Sequence, residues 1–297
     1  MKKLYITDLD GTLLSENGKM SSYAVELLNQ IIEQGTLITV ATGRSFLSAA
    51  NLLKETHLTL PIINNNGARI SLLHNHEHVY SNFIDKSLAQ EILDITLDHY
   101  CSPFINAELG GKDLLLYEAS TNKGTEMFID IRKSKDDPRL KKVDKYDQLN
   151  DIKVVNFNII DETKKLMVLE KHLEDKYQGL LDLHITFEPT WHDWAWLTIS
   201  DIKSNKADGI AALVSEYIHE DVEITVFGDQ RNDIHMLEYA DRAIVVENAR
   251  PEVKTIADLV IGPNTEESVV RFIAQEIGLK LPELDNVDTS EGGNGHG

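Results

Sequence analysis

Ile6-Thr7-Asp8-Leu9-Asp10-Gly11-Thr12-Leu13-Leu14 is the stretch that decides how this chain is read. Two carboxylates, Asp8 and Asp10, stand two positions apart after the apolar run Lys3–Thr7, whose large side chains predict a short buried strand. Gly11 then lets the chain turn away. The acids therefore sit at the carboxyl end of a strand, where open α/β sheets bind their ligands. Two acids held that close repel each other unless a cation lies between them, and magnesium with oxygen ligands suits such a place beside phosphates. One carboxylate is then placed to attack phosphorus while its neighbour moves protons. The competing reading is a strand that ends in an ordinary capped Asp-Gly turn.

Three later segments weigh against that plainer reading. In Val40-Ala41-Thr42-Gly43-Arg44-Ser45 a strand ends at Thr42, and Gly43 leaves the backbone approachable. Hydroxyl and N–H groups at such a helix start can hold a phosphate, or simply cap the helix. Arg44 reads equally as a substrate contact and as a solvated helix-start residue. Lys206, in Asp201–Leu213, begins a helix after a strand and can offset charge on an attacked phosphoryl group. Lys203 competes with it on sequence alone. In Val226–Leu237 (V-F-G-D-Q-R-N-D-I-H-M-L), Asp229 stands at a strand end with Asp233 four residues on. Both acids can face one point and supply oxygen ligands to the same cation, or cap the following helix.

Acid pair, Thr-Gly, lysine, acid pair: in that order, each just after a predicted strand, the four segments resemble the haloacid dehalogenase superfamily of phosphohydrolases. The resemblance is nearer still to its Cof-type branch, which carries a cap domain inserted between the second and third motifs. Asn65-Asn66-Gly67-Ala68, Gly228–Leu237 (G-D-x-x-N-D-x-x-M-L) and Asn248–Lys254 (N-A-R-P-E-V-K) support it. The resemblance implies that Asp8 is the nucleophile forming an aspartyl-phosphate, and that Asp10 is general acid and then base. It implies magnesium held by Asp8, the backbone carbonyl of Asp10, and Asp229, with Asp233 as ligand or behind the ligands. Thr42 and Lys206 would grip the phosphoryl group. Gly43, Arg44, Asn66, Asn232 and Asn248 complete the expected substrate-binding set. Glu247 stands where many relatives carry glycine, and reads either as charging the site's edge or as a solvated loop residue.

The architecture expected is α/β: a Rossmann-like core with a mainly parallel sheet from 1–82 and 190–280, and an inserted α/β cap from 83–189. Helices are predicted at Ser21–Gln34, with a Val25/Leu28/Ile31/Ile32 stripe, at Lys86–Tyr100, Lys123–Arg132, Glu162–Lys176 and Lys206–Tyr217. Asn106–Asp113 reads as a loop reaching toward the leaving group, and Lys133–Lys145, with Pro138, as a charged surface connection. The acidic, glycine-rich residues 284–297 read as a disordered tail.

The 297 residues carry a net charge of −20 with no Lys/Arg-rich run, which weighs against nucleic acid and against anionic membranes. It leaves room for a phosphorylated substrate, since local cations reverse the field in a cleft. Cys101, the single cysteine, reads as a small core residue. The start M-K-K-L-Y-I-T-D lacks a signal-like apolar stretch, so a cytoplasmic enzyme is expected. His74, His76 and His78 fall in a predicted hairpin turn and are set aside as metal ligands, and Trp191, Trp194 and Trp196 read as packing at the hinge. The expected activity is magnesium-dependent hydrolysis of small phosphorylated metabolites: sugar or polyol phosphates, or phosphorylated cofactors. A sugar phosphomutase, whose cap would need cationic phosphate grips, and a non-catalytic phosphometabolite sensor are the alternatives.

Overall fold

In a computed structural model of the protein, which describes residues 2–146, 149, 151–187 and 194–281, the run before Asp8 is strand β1 (Lys2–Thr7). Leu4 to Thr7 are buried on both faces, as a central parallel strand requires. The described residues fall into two units. The first comprises the described parts of Met1–Val40, Leu47–Leu60 and Asp221–Gly297. The second comprises Ala41–Phe46 and the described parts of Pro61–Glu220.

The first unit is built on a five-stranded sheet. Its strands are β1, β2 (Leu37–Val40), β12 (Val222–Gly228), β13 (Arg242–Val246) and β14 (Leu259–Ile261), in the order β14-β13-β12-β1-β2 and all parallel. From β1 the chain steps outward to β2, whereas from β12 it steps the opposite way, so the order reverses between β1 and β12. Ligands bind at such a switch point, outside the carboxyl ends of the strands. Thr7 pairs with Phe227 there, which sets Asp8 beside the end of β12. Helix α1 (Ser22–Glu33) begins at Ser21, whose side chain accepts from the Ala24 N–H (3.0 Å). Its buried stripe is Ala24, Leu27, Leu28 and Ile31, turned one position from the expected one: Val25 and Ile32 lie at its flanks. The stripe packs against helix α9 (Ser268–Glu276). Two short helices, α7 (Ile234–Tyr239) and α8 (Pro251–Lys254), follow β12 and β13.

Glu276 on α9 ties this unit together. It accepts from Lys3 Nζ (2.9 Å) and Tyr5 Oη (3.0 Å), and it pairs with Arg242. Burial alone would raise its carboxyl, but bonds from Lys3, Arg242 and Tyr5 outweigh this and hold it below the usual glutamate range. A lowered folded value gives stability that is present above the unfolded value of about 4.3 and is lost as pH falls through the folded one. Glu276→Gln is therefore expected to lower the urea midpoint at pH 7, with the gap to wild type closing below about pH 4. A gap that persists in acid would contradict this.

The second unit holds two sheets. β3 (Ile62–Asn64), β4 (Arg69–Ser71) and β5 (His78–Ser81) form an antiparallel three-stranded sheet, as the expected hairpin required. β6 (Phe104–Leu109), β7 (Lys112–Tyr117), β8 (Leu140–Lys142), β9 (Lys153–Asp161), β10 (Leu181–Phe187) and β11 (Ala195–Asp201) form a six-stranded sheet in the order β10-β11-β9-β6-β7-β8. Alternate residues divide between its faces. Ile105, Phe157 and Leu197 pack with Ile92, Leu93, Leu166 and Leu169 from α3 (Lys86–Asp98) and α5 (Thr163–Lys176). Phe104, Tyr117 and Ile160 pack with Phe128 from α4 (Lys123–Ser134), joined by Trp194 and Trp196. Trp194 and Trp196 thus pack against this face of the sheet; Trp191 lies outside the described residues, as does the 284–297 tail. Cys101 is buried, and burial pushes its thiol up to about 11.

Two expectations are corrected here. Asn106–Asp113 is no loop: Ile105 to Leu109 pair with Lys112 to Leu116, and the turn is confined to Gly110 and Gly111, both at positive φ. A Gly-Gly pair of that conformation is a hairpin turn. Lys133–Lys145 is not simply a surface connection. It contains β8, parallel to β7, and it buries Asp137 and Arg139 as an ion pair. The helix expected over Lys206–Tyr217 is α6 (Lys206–Leu213), continued as a π-turn to Ile218 and stopped by His219 at φ 55°.

Candidate active site

Asp8 is held by its own backbone, whose N–H donates to the Phe227 carbonyl (2.9 Å) and extends the β1–β12 ladder by one residue. Its side chain and those of Asp229 and Asp233 are buried, and one oxygen of each lies within 4.8 Å of the others. Three carboxylates brought together away from water repel strongly without a positive charge among them. Their donor set is oxygen only, so the residues present fit a hard divalent cation such as magnesium. Asp10 is exposed and stands outside that set among the described residues. Its backbone forms an isolated bridge with Leu14.

The Asp229 carboxylate is oriented from both sides. Thr12 Oγ1 donates to its Oδ1 (2.7 Å), and Gln230 Nε2 donates to its Oδ2 (2.8 Å). Neither partner was anticipated from the sequence, although Thr12 lies in the opening stretch. Gly11 sits at φ +83°, and a Cβ there would run into the Asp229 carboxylate, so two separate reasons require glycine. Asp233 shapes the same loop: its Oδ2 accepts from the N–H groups of Asp229 (2.8 Å) and Gln230 (2.9 Å). A Cβ at Gly228 would lie 2.7 Å from that of Asp233, which makes this close approach possible only for glycine.

Asn248 is tied to the loop that carries the first acids. Its Nδ2 donates to the Gly11 carbonyl (2.7 Å), its Oδ1 accepts from the Asn264 N–H (2.9 Å), and Asn264 Nδ2 donates to the Leu14 carbonyl (2.7 Å). Arg250 completes the frame, with its N–H on the Asp229 carbonyl (3.0 Å) and its Nε on Gln230 Oε1 (2.6 Å). Glu247 is exposed, in keeping with its solvated-loop reading, and Asn232 is half-buried in the turn Arg231–Asp233.

The second unit carries the other candidates. Thr42 is buried; its N–H donates to the Ile63 carbonyl (2.9 Å) and its Oγ1 accepts from the Arg44 N–H (3.1 Å). Asn66 returns the contact, its N–H donating to the Thr42 carbonyl (3.0 Å), and a Cβ on Gly43 would sit 2.9 Å from Asn66 Oδ1. Asn65, Asn66 and Gly67 all have positive φ, a run that places this turn against α6. Gly67 abuts the Asn205 backbone, and a Cβ at Gly209 would meet Gly67 Cα at 2.9 Å. Asn205 caps α6 by accepting from the Asp208 N–H (3.0 Å), and the next residue is Lys206. Lys206 is 1% exposed whereas Lys203 is exposed, which separates the two competing lysines. Thr42, Gly43, Asn66 and the Lys206 helix start are thus one packed arrangement.

His78 is engaged rather than available: Nδ1 meets Ser71 Oγ (2.7 Å) and Nε2 meets Asp113 (3.1 Å). Among the described residues no helix is long and apolar enough to cross a membrane.

The chain resembles known proteins over nearly all of its length. A 5-amino-6-(5-phospho-D-ribitylamino)uracil phosphatase of Bacillus subtilis is 26% identical over 288 residues, covering 93% of this chain and 98% of its own. A pyridoxal phosphate phosphatase of Escherichia coli is 25% identical, covering 90% and 95%. A haloacid dehalogenase-like hydrolase from Bacteroides thetaiotaomicron superposes with TM-score 0.73 at 25% identity, over 93% of this chain and all of the other. A Thermotoga maritima protein superposes with TM-score 0.74 at 22% identity, over 93% and 97%. The family model described as haloacid dehalogenase-like hydrolase matches residues 5–273, from the strand before Asp8 to the last helix, and the chain belongs to that family of enzymes.

Proposed function

We propose that this hydrolase is a magnesium-dependent phosphatase of small phosphate monoesters, working through an aspartyl-phosphate on Asp8. The observation that carries the reading is the convergence of the buried Asp8, Asp229 and Asp233 side chains at the sheet's switch point. Magnesium held by Asp8, the Asp10 backbone carbonyl and Asp229, with Asp233 as ligand or behind the ligands, would supply positive charge to the phosphoryl oxygens. Asp8 attacks phosphorus, the phosphorus–oxygen bond to the leaving group breaks, and Asp10 gives that oxygen its proton. Asp10 then takes a proton from water, which attacks phosphorus and frees Asp8 and inorganic phosphate. The exposure of Asp10 suits a group that exchanges protons with an arriving alcohol and an arriving water. Thr42 and Lys206 are assigned to the phosphoryl oxygens, and Gly43, Arg44, Asn66, Asn232 and Asn248 to substrate and loop positioning. Asn248 would act largely by fixing the Gly11 loop.

The segment 83–189 is assigned the role of a cap that reads the leaving group, with 1–82 and 190–280 as the catalytic core. The substrate class proposed is sugar phosphates or phosphorylated cofactors, in the cytoplasm. The relatives named for a ribityl phosphate and for pyridoxal phosphate support that range. The test is phosphate release from a panel of such monoesters, with magnesium or with EDTA. Turnover that requires the metal is expected; turnover unaffected by EDTA, or its absence across the panel, would overturn the reading.

A further inference from the structure

The three-stranded sheet of the second unit holds a buried polar chain to which the phosphatase reading gives no task. Asn64 and Ser71 are 0% exposed, and Asn64 Nδ2 donates to Ser71 Oγ (2.7 Å). Ser71 Oγ meets His78 Nδ1 (2.7 Å), and His78 Nε2 meets Asp113 Oδ2 (3.1 Å) on β7. The register produces this alignment. Ile62 and His78 both stand opposite Ser71, a bulge between Ile70 and Ser71 re-aims the strand, and Asn64 lies two positions from Ile62 on the same face. Serine, histidine and aspartate in this order resemble a nucleophile with its base, but a hydroxyl that solvent does not reach cannot attack a substrate.

Counting protons fixes the direction of the chain. Asn64 donates to the Ser71 oxygen, so the one Ser71 proton goes to His78 Nδ1, and the imidazole keeps its hydrogen on Nε2 for Asp113. That is a neutral histidine. A second proton, on Nδ1, would turn this nitrogen into a donor and leave the Ser71 proton without its acceptor. Asn64 Oδ1 is a buried acceptor with no partner among the described residues, and the amide must turn over to offer it to Ser71. The charged groups around His78 are Asp113 from β7 and Arg69 from β4, whose Nη1 and Nη2 reach Glu108 (3.1 Å) and Asp113 (3.3 Å), with Lys153 on Glu108 (3.4 Å). Burial alone would raise the Asp113 carboxyl, but the bond from His78 and then the charges of Arg69, His78 and Arg139 hold it below the usual aspartate range. Asp113 thus remains a carboxylate facing the ring.

This chain reaches the turn assigned to the phosphoryl group by two routes. Asn64 leads into Asn65 and Asn66, whose N–H groups donate to the Arg44 carbonyl (2.9 Å) and the Thr42 carbonyl (3.0 Å). Phe46, two residues past Arg44, stands edge-on to the His78 ring with centroids 5.7 Å apart, and the His76 ring packs on it at 5.2 Å. All of these residues belong to the second unit.

We infer that His78 is a positioning residue for the Thr42–Arg44 turn: neutral, it holds the turn through Ser71 and Asn64 by one route and through Phe46 by the other, and on gaining a proton it reverses the Ser71–Asn64 bond and loosens the grip on the phosphoryl group. This rests on the assignment of that turn in the phosphatase reading above.

The test follows the binding of sulfate, a phosphoryl stand-in that keeps its double charge throughout, by calorimetry on the protein with magnesium between about pH 7.5 and about pH 5.5, the range in which histidine titrates. Wild type is expected to lose roughly fivefold more affinity on acidification than His78→Gln, the size of one hydrogen bond. Ser71→Ala leaves the imidazole free to titrate but cuts it from Asn64, and should lose as little as His78→Gln. His76→Gln alters the exposed ring on Phe46 and should behave as wild type. Each variant is compared with the far-UV circular dichroism of wild type, so that either of the first two suffices if the other fails to fold. Equal pH dependence in all four proteins, an acid loss that Ser71→Ala retains, or one that His76→Gln abolishes, overturns the inference. So does affinity that rises in acid only where His78 is present, since that is a direct charge effect. Sulfate that binds at neither pH defeats the assignment of the turn and the inference with it. Absence of phosphate release across the panel, with the sulfate pattern intact, defeats the phosphatase reading and leaves the hold of His78 on the turn standing.

Discussion

Asp8→Asn is expected to lower magnesium-dependent phosphate release by at least about 10⁴-fold, since an amide is a far poorer nucleophile toward phosphorus than a carboxylate. The same substitution removes one of three converging acids, so magnesium affinity should fall as well. Activity alone would not separate those two losses, and Asp10 provides the control. It lies two residues away but its exposed carboxylate stands apart from the buried set. Asp10→Asn is therefore expected to cut turnover by about 10²–10⁴-fold, the range of general acid–base contributions, while magnesium affinity by calorimetry stays within a few-fold of wild type. The mechanism predicts this contrast, with metal and chemistry lost together at Asp8 and chemistry alone lost at Asp10. Equal loss of magnesium affinity in both variants would mean that the two carboxylates serve only as ligands. Turnover surviving Asp8→Asn in a preparation free of wild-type enzyme would remove Asp8 as nucleophile.

The acids could be read from the sequence because each is local: a carboxylate placed at a strand end is visible in a window of ten residues, and Asp8 and Asp229 both stand there. What holds them in place was not visible, because it is long-range. Thr12 meets Asp229 across 217 positions, through the pairing of β1 with β12, and no window around Thr12 contains that pairing. The same is true of the Asn248 bond to Gly11. Strand β6 is hidden in the sequence for a different reason: Phe104-Ile105-Asn106-Ala107-Glu108-Leu109 places Asn and Glu on one face, and the Gly110-Gly111 pair reads as the middle of a loop as readily as a two-residue turn. The segment around Asp137 and Arg139 looked solvated because charged residues usually are. Each alone would be; together they are buried by satisfying one another. At Thr42 and Lys206 the residues alone left alternatives open, a helix cap for the one and Lys203 for the other, and the resemblance to a known family chose between them.

Lys206→Met is expected to reduce kcat by about 10²–10³-fold, in the range found when one preorganised charge is removed from a developing anion. The lysine is 1% exposed at the start of α6, where Asn205 fixes the helix and Gly67 and Gly209 allow the Asn64–Gly67 turn to close on it. An ammonium is not buried so deeply for packing alone, because losing its hydration costs several kcal/mol and an apolar side chain of that length would fill the space without it. Its burial therefore argues for a task that needs charge. Lys203, three residues earlier and exposed, tests the alternative that any cation near this helix would serve: Lys203→Met is expected to change kcat by less than about threefold, as a screened surface charge would. Methionine matches the lysine stem in length, so Lys206→Met should keep the far-UV circular dichroism of wild type and lose activity while folded. An active Lys206→Met enzyme would show that the buried charge serves the fold rather than the reaction. Equal losses at Lys203 and Lys206 would show that the field of the whole region, and not one positioned ammonium, acts on the phosphoryl group.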